Sequence, residues 1–154
     1  DTEIKEFPLR LDLKDMPGWV KEAHDKAYRI IEENETMYEE YLMDDAEICI
    51  AAFGIAARVA KNAINEARKE GIKVGMIRPI TLWPFPKAPF AKAAEKVKSI
   101  ISVELSMGQM IEDVRLATEC KVPVSLCNRV GGMIPTVQNV LDKIDEAVEL
   151  GGAK

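Results

Sequence analysis

The polar side chains best placed for chemistry lie where predicted strands end. Glu104 closes an apolar strand, and Ser106, Gly108 and Gln109 lead into a predicted helix. The amino terminus of a helix presents free N–H groups and partial positive charge, which suit an anion or a carboxylate. The alternative is that Ser106 caps the helix and Glu104 completes the cap electrostatically, which is the commoner arrangement.

A second polar stretch, residues 128–135, contains Arg129 followed by Gly131 and Gly132. Glycines let the backbone approach a ligand closely, and the Arg129 guanidinium can pair with an acid. A structural Gly-Gly turn before a helix accounts for the same residues. Arg78 presents a similar choice, because a strand-end arginine either binds a ligand or forms a salt bridge across an interface.

The familiar catalytic motifs are missing from the sequence. Gly54 stands alone after a strand, whereas a dinucleotide-binding turn needs several glycines, and there is neither a Walker loop nor a serine elbow. The single histidine, His24, has no nucleophile near it in the sequence. Cys49, Cys120 and Cys127 lack the CxxC spacing of a four-cysteine cluster. These residues alone predict no catalytic apparatus and no metal-ligand set.

Length and charge narrow the class of protein. The 154 residues suit one domain with a substantial core, and no apolar run approaches the ~20 residues that span a bilayer. Residues 1–45 carry a net charge of −8 and residues 46–154 a net charge of +3, which does not predict a nucleic-acid interface. Reduced thiols without an export signal predict the cytoplasm. Because the chain opens on Asp1 instead of Met, we expect a piece of a longer protein.

Alternating strands and helices must position these polar stretches. Strands are predicted at 46–53, 72–78, 99–105 and 122–127, and helices at 55–70, 89–98, 109–120 and 136–150. The alternation predicts a three-layer α/β/α domain around a mostly parallel sheet, where ligands bind at the carboxyl ends of the strands. Ahead of it we expect a linker or arm at residues 1–15 and a helix at 17–34. Residues 37–42 suit either a helical extension or a short edge strand.

The stretch over residues 72–86 begins as a strand and continues as a rigid loop. The strand is expected to stop at Pro79, since proline cannot donate to a sheet ladder. Trp83 and Phe85 follow, set between further prolines. Two aromatic side chains on such a loop need a surface to pack against, either the core of this domain or a partner.

Several longer motifs resemble one known family. They are Tyr-Glu-Glu-Tyr at 38–41, Gly-Ile-Lys-Val-Gly at 71–75, Arg-Pro-Ile-Thr-Leu-Trp-Pro-Phe-Pro at 78–86, Gly-Gln-Met at 108–110, Glu-Asp-Val-Arg-Leu-Ala at 112–117 and Gly-Gly at 131–132. Together they make the chain similar to the C-terminal part of the alpha subunit of 2-oxoacid:ferredoxin oxidoreductases. The nearest type is the 2-ketoisovalerate (3-methyl-2-oxobutanoate) enzyme, and the resemblance covers nearly the whole chain.

The resemblance implies a domain like the C-terminal domain of transketolase. Such a domain has a mixed five-stranded sheet in the order 1-3-2-4-5 with strand 1 antiparallel, so residues 37–42 become that strand. Residues 1–35 become a connector arm and helix from a preceding domain, and residues 36–154 become the domain itself. In this order, the direction in which successive strands are added to the sheet reverses beside Gly54 and Glu104. The loop before residue 87 is then expected to pack helices or dock a neighbouring subunit.

For the whole enzyme, the resemblance implies oxidative decarboxylation of a 2-oxo acid, with ferredoxin accepting the electrons and coenzyme A the acyl group. Thiamine diphosphate, Mg²⁺ and iron–sulfur clusters are implied in other domains and in the beta, gamma and ferredoxin-like delta subunits. This chain is expected to bind none of these cofactors and to contribute no catalytic residue. It is expected to act as an assembly scaffold in a homo-oligomer, without nucleic-acid or membrane partners.

Eight residues form a possible crevice or interface: Gly54, Arg78, Trp83, Phe85, Glu104, Gly108, Gln109 and Arg129. Two other functions stay open. One is a free-standing module that binds a small molecule, coenzyme A or a nucleotide beside Gly54 and Glu104. The other is a dimerisation domain that uses Trp83 and Phe85.

Overall fold

The computed structural model of the chain describes residues 16–152, which divide into two compact units between Glu35 and Thr36. The first unit is helical: α1 (Met16–Ala23) continues through a π-helical turn (His24–Tyr28) into α2 (Arg29–Asn34). The helix predicted over residues 17–34 is therefore confirmed, although the sequence did not indicate the π-helical turn. The arm predicted for residues 1–15 lies outside the described residues.

The second unit is built on a five-stranded sheet. Its strands are β1 (Tyr38–Tyr41), β2 (Ile48–Ala52), β3 (Val74–Pro79), β4 (Ser99–Glu104) and β5 (Val124–Asn128). They lie in the order β1-β3-β2-β4-β5. Strand β1 is antiparallel to β3, and the other neighbouring pairs are parallel. The predicted strand order and antiparallel edge strand are both confirmed.

Helices cover both faces of this sheet. They are α3 (Gly54–Lys69), α4 (Lys87–Ala94), α5 (Met110–Ala117) and α6 (Val137–Gly152). Along β2, Ile48 and Ile50 join the core under α3 and α6, whereas Cys49 and Ala51 join the core under α4 and α5. A strand covered on both faces is nearly continuous in apolar residues, which is why the sequence identified it.

Helix α5 is shorter than predicted. It ends at Ala117, whereas the apolar pattern placed its end at Cys120. Glu119 and Cys120 adopt left-handed φ values of 52° and 54°, which cannot continue a right-handed helix. Helix α4 is likewise displaced, beginning at Lys87 and ending at Ala94.

Arg68 on α3 fixes the turn that joins β1 to β2. Its Nε donates to the carbonyl of Val74 at 2.7 Å, and its Nη2 donates to the carbonyl of Leu42 at 2.8 Å. The same Nη2 donates to Asp45 Oδ1 at 2.7 Å. Gly75 lies so close to this turn that a Cβ there would be 2.6 Å from the Leu42 carbonyl oxygen. One arginine and one close backbone contact therefore position the edge strand.

Candidate functional site

Glu104 is the last residue of β4 and is buried beside the start of α5. Its carboxylate accepts five hydrogen bonds of 2.7–3.0 Å, from the hydroxyls of Ser102 and Ser106 and the backbone amides of Gln109, Met110 and Ile111. Amides at the start of a helix have no partner within the helix and attract anions. Glu104 therefore fills, with its own carboxylate, the place where an external anion would bind α5.

The pKa of Glu104 is lowered from its ordinary value, although the residue is buried. Burial by itself raises the pKa, because the charged form loses its water. Hydrogen bonds from Ser106 and Ser102, and from the amides of Met110 and Gln109, lower the pKa and outweigh burial. The carboxylate is ionised at neutral pH, and its acceptor positions are taken by donors from the chain itself.

The predicted role of Ser106 as the helix cap is wrong. Its hydroxyl donates to Glu104 Oε2 at 2.7 Å, so it supports the capping carboxylate. Gln109 contributes its amide to this contact, while its side chain is exposed. Gly108 has a φ of 101°, and a Cβ there would lie 3.2 Å from Ile111 Cγ2. Glycine thus permits the turn that brings the α5 amides to Glu104.

Gly54 lies at the neighbouring strand end. Strands β2 and β4 are adjacent, with Ala52 opposite Val103, so the chain leaves the sheet at Gly54 next to Glu104. Gly54 has a left-handed φ of 57°, and a Cβ there would meet no atom within 4 Å. The glycine is explained by the conformation of a tight strand-to-helix turn. The structure therefore brings Gly54 and Glu104 together at the point where the strand order reverses.

Arg78 forms a salt bridge inside the domain. Its Nη1 lies 3.0 Å from Glu39 Oε2, and Glu39 is its direct partner across the β1–β3 pair. Lys61 Nζ lies 3.9 Å from the same oxygen. Within the described residues, Nε of Arg78 is buried without a hydrogen-bond partner. Arg78 thus forms a salt bridge, as one of the two predictions had it, but the bridge joins two strands of one sheet instead of crossing an interface.

The two aromatic residues of the loop after β3 lie in different environments. Phe85 is half-buried and stacks on Phe90, with ring centroids 5.3 Å apart and planes 12° apart. The prolines on either side of Phe85 are buried. Trp83, in contrast, is 58% exposed. Phe85 therefore packs on the core of this domain, and Trp83 lies on the surface.

Arg129 follows β5 at the far end of the same edge. Its amide donates to the Glu104 carbonyl at 3.2 Å, and its side chain is exposed. Gly131 and Gly132 have φ values of 68° and 80°, as the predicted turn requires. Within residues 16–152, the Arg129 guanidinium has no ion pair. The backbone of this loop is thus tied to β4, while its cation faces solvent.

Sequence reasoning missed most of an apolar surface along this edge. Ten exposed apolar residues, which we call the carboxyl rim, follow the four parallel strands: Phe53 and Ile55 after β2, Ile80, Leu82 and Trp83 after β3, Leu105 and Met107 after β4, and Val130, Met133 and Ile134 after β5. The available signal was apolar residues directly after each strand, where loops are usually polar. A contiguous exposed apolar patch marks an interaction site.

The opposite, amino edge of the sheet is charged. A cavity of about 320 Å³ lies there, lined partly by Glu47, Lys73 and Lys98. Glu47 lies 2.8 Å from Lys98 Nζ and 3.7 Å from Lys73 Nζ. The contact with Lys98, followed by that with Lys73, lowers the pKa of Glu47. The two lysines share one carboxylate, so each of these charges has an opposite partner, and the three residues together carry a net charge of +1.

The remaining reactive side chains do not form a site. Burial raises the pKa of the Cys49 thiol to about 12 and also raises the pKa of Cys127, so both stay protonated. Cys120 is exposed. Across residues 16–152, no three His, Cys, Asp or Glu side chains are grouped so as to hold a metal ion. No helix in that part of the chain is long and apolar enough to cross a membrane.

Comparison with known proteins adds a family match. Residues 46–140 match the model of the pyruvate:ferredoxin oxidoreductase core domain II. The chain is 53% identical over 119 residues to ketoisovalerate oxidoreductase subunit VorB of Methanothermobacter thermautotrophicus, covering 77% of this chain and 34% of that subunit. The chain thus spans about a third of the length of the curated relatives it matches.

Solved structures share the fold. The 2-oxoglutarate:ferredoxin oxidoreductase of Magnetococcus marinus superposes with a TM-score of 0.76 at 20% identity, over 90% of this chain and 24% of that one. A split-gene transketolase, solved as an inactive β4 tetramer, superposes with a TM-score of 0.65 at 18% identity, over 75% of this chain and 42% of that one. At these identities the likeness is one of fold.

Proposed function

The chain belongs to the pyruvate:ferredoxin oxidoreductase core domain II family, and from this membership we propose that it is a non-catalytic assembly domain of the alpha subunit of a 2-oxoacid:ferredoxin oxidoreductase. One observation carries the non-catalytic role. Glu104, at the point where the strand order reverses, already accepts five hydrogen bonds from its own chain. It has no capacity left to bind substrate or transfer a proton.

The proposed reaction of the whole enzyme is the oxidative decarboxylation of a branched-chain 2-oxo acid such as ketoisovalerate. The carboxylate of the acid leaves as CO₂, the electrons pass to ferredoxin, and the acyl group is transferred to the sulfur of coenzyme A. The high identity to a ketoisovalerate oxidoreductase subunit supports this substrate class. Residues that choose among 2-oxo acids are expected in the other parts of the enzyme.

Thiamine diphosphate, Mg²⁺ and iron–sulfur clusters are proposed for those other parts. The described residues of this chain do not fit them. Cys49 and Cys127 belong to cores on opposite faces of the sheet, and Cys120 lies on the surface, so the three thiols cannot ligate one cluster. We therefore assign no cofactor contact and no catalytic step to this chain.

The partners proposed for the domain are the remaining domains of its own subunit and the beta, gamma and ferredoxin-like delta subunits. Residues 1–35 would then be the connector from a preceding domain, and residues 36–154 the assembly domain. The complex is expected to be a homo-oligomer, with more than one copy of this subunit, and to work in the cytoplasm. The names of the curated relatives, which are subunits of oxidoreductases, support an assembly of this kind.

Two experiments test the proposal. The isolated chain, given thiamine diphosphate, Mg²⁺, coenzyme A and ketoisovalerate, is expected to show no decarboxylation, and measurable thiamine-dependent turnover would refute the non-catalytic role. Deleting residues 36–154 from the complete subunit is expected to abolish assembly of the oxidoreductase. A fully assembled and active enzyme after that deletion would refute the scaffold role.

Calorimetry separates this function from a free-standing binding module. The module would bind coenzyme A, a nucleotide or a 2-oxo acid beside Gly54 and Glu104. Because Glu104 already occupies the α5 amides, we expect no binding at micromolar concentrations. Clear micromolar binding to the isolated chain would favour the module instead.

A further inference from the structure

The residues of the carboxyl rim all lie along one edge of the sheet. The four parallel strands lie side by side in the order β3-β2-β4-β5, and neighbouring strands are about 4.8 Å apart. The loops that leave their carboxyl ends must therefore lie in a row. Each loop contributes at least two of the ten exposed apolar residues, and Met107 is 79% exposed. The apolar exposure is thus a shared property of one edge.

The loops that carry the rim are fixed by hydrogen bonds. The Thr81 hydroxyl donates to the Pro84 carbonyl at 2.9 Å, and the Thr81 amide donates to the Met37 carbonyl at 3.2 Å. Asn128 Nδ2 donates to the Ser106 carbonyl at 2.7 Å, which joins the loop after β4 to the end of β5. A surface held in shape before binding loses little entropy when it binds. This favours a protein partner of complementary shape.

Charges around the rim are mostly unpaired cations. Arg58 in α3, Lys87 at the start of α4 and Arg129 after β5 are exposed, and none has an ion pair within residues 16–152. Nearby, Glu112 is neutralised by Arg115 at 2.8 Å, and the adjacent Asp113 is exposed without an ion pair within the same residues, so the unpaired cations outnumber this acid. An apolar surface bordered by unpaired cations complements an apolar surface bordered by acids. Two copies of this rim facing each other would bring like charges together, which disfavours self-association.

We propose that the carboxyl rim binds an apolar surface with acidic margins, supplied by another part of the same oxidoreductase. The inference rests on the assembly function proposed above and adds the surface and the chemistry of its partner. At the charged amino edge, Glu47 already pairs with Lys73 and Lys98, although Val148 in the lining of the cavity is exposed there. We expect docking at the carboxyl edge, where exposed apolar residues follow all four parallel strands.

Photo-crosslinking in the assembled enzyme tests the inference. The oxidoreductase, expressed with its complete subunits, carries p-benzoylphenylalanine in place of Met107 or, as the control, in place of Leu116. These side chains are exposed to similar extents, 79% and 74%, but Leu116 lies on α5 outside the rim. We expect position 107 to crosslink at least tenfold more than position 116, to a peptide outside residues 36–154 that contains acidic residues.

A charge change tests the second half of the inference. Arg129→Glu is expected to lower the crosslink yield from position 107 several-fold. Lys121→Glu, which reverses an exposed cation before β5 at the amino edge, is expected to leave the yield unchanged. Equal losses from both changes would overturn the assigned role of charge at the rim.

Each remaining outcome contradicts the proposal in a distinct way. A crosslink to residues 36–154 of a second copy would identify self-association. Sedimentation of the chain with phosphatidylglycerol vesicles, lost in Arg129→Glu, would identify a membrane surface. If the subunit that contains this chain assembles with the other subunits but position 107 gives no crosslink, the rim is not the interface while the assembly function stands. If the subunit assembles equally well after residues 36–154 are deleted, both fall.

Discussion

Replacing Glu104 by glutamine tests the self-capping of α5 in the isolated chain. In the native domain, Oε1 accepts from Ser102 and from the Ile111 amide, and Oε2 accepts from Ser106 and the Gln109 and Met110 amides. A glutamine keeps one oxygen and replaces the other by a donor. The least costly orientation places the new NH₂ at the Oε1 position, where a rotating hydroxyl can become an acceptor but the Ile111 amide cannot.

The expected loss follows from this geometry. A buried amide without an acceptor costs about 1–3 kcal/mol, and each retained bond becomes weaker when its acceptor loses the charge. Removing a buried charge recovers part of the loss. We therefore expect Glu104→Gln to lower the free energy of unfolding by about 2–4 kcal/mol, a large share of the ~5–15 kcal/mol typical of a domain.

Equilibrium urea unfolding at pH 7, followed by circular dichroism, measures this loss. With a slope of about 2 kcal/mol/M, the middle of the usual range for urea, a loss of that size lowers the midpoint by about 1–2 M. The matched control is Glu112→Gln, which removes the same charge from the first turn of the same helix. Glu112 is 65% exposed, and its one ion pair within residues 16–152 is with Arg115, so we expect a change below about 0.5 kcal/mol. Equal effects of the two substitutions would refute the capping role.

Three further predictions follow from the same structure. The difference in the free energy of unfolding between wild type and Glu104→Gln should close as the pH falls below about 4. A carboxyl whose pKa is lowered by folding stabilises the folded state above its unfolded pKa of ~4.3, and this stabilisation is lost in acid. A difference that is independent of pH between 3 and 7 would contradict this. Gly75→Ala should lower the free energy of unfolding, measured by heat or urea, by at least ~2 kcal/mol, because its Cβ would lie 2.6 Å from a backbone oxygen. Gly151 lies in a helix, and a Cβ there would be 3.5 Å from the nearest atom, so Gly151→Ala should be neutral or stabilising. A thiol reagent should label exposed Cys120 in the native chain and reach the two buried thiols only on unfolding, so labelling of all three under native conditions would contradict the burial.

The sheet could be predicted from the sequence because burial on both faces leaves an unmistakable pattern. Strand β2 is apolar at every position, and each parallel strand is followed by a segment whose apolar residues recur at helical spacing. The edge strand β1 has no such pattern, since Tyr38, Glu39 and Glu40 are all exposed. Propensity left it undecided between helix and strand. The resemblance to a known family supplied the answer that local sequence did not contain.

The site was harder to predict because its contacts join residues that no spacing rule connects. Glu104 could be identified as a strand-end carboxylate beside a helix start. That its side chain caps the helix directly depends on the turn at Gly108, which brings three amides onto one carboxylate. The pairing of Arg78 with Glu39 likewise depends on the register of β1 against β3. Each is a tertiary fact, fixed only when the strands are paired.

The two features of the carboxyl edge lead to the same functional conclusion. In open α/β sheets, ligands bind where the strand order reverses, using free amides at a helix start. Here a small anion would have to displace Glu104 from five hydrogen bonds, which a few contacts of its own cannot offset. Covering the rim, in contrast, gains about 2.5 kcal/mol for each ~100 Å² of apolar surface removed from water. We therefore expect this edge, where open α/β sheets usually bind ligands, to bind protein in this chain.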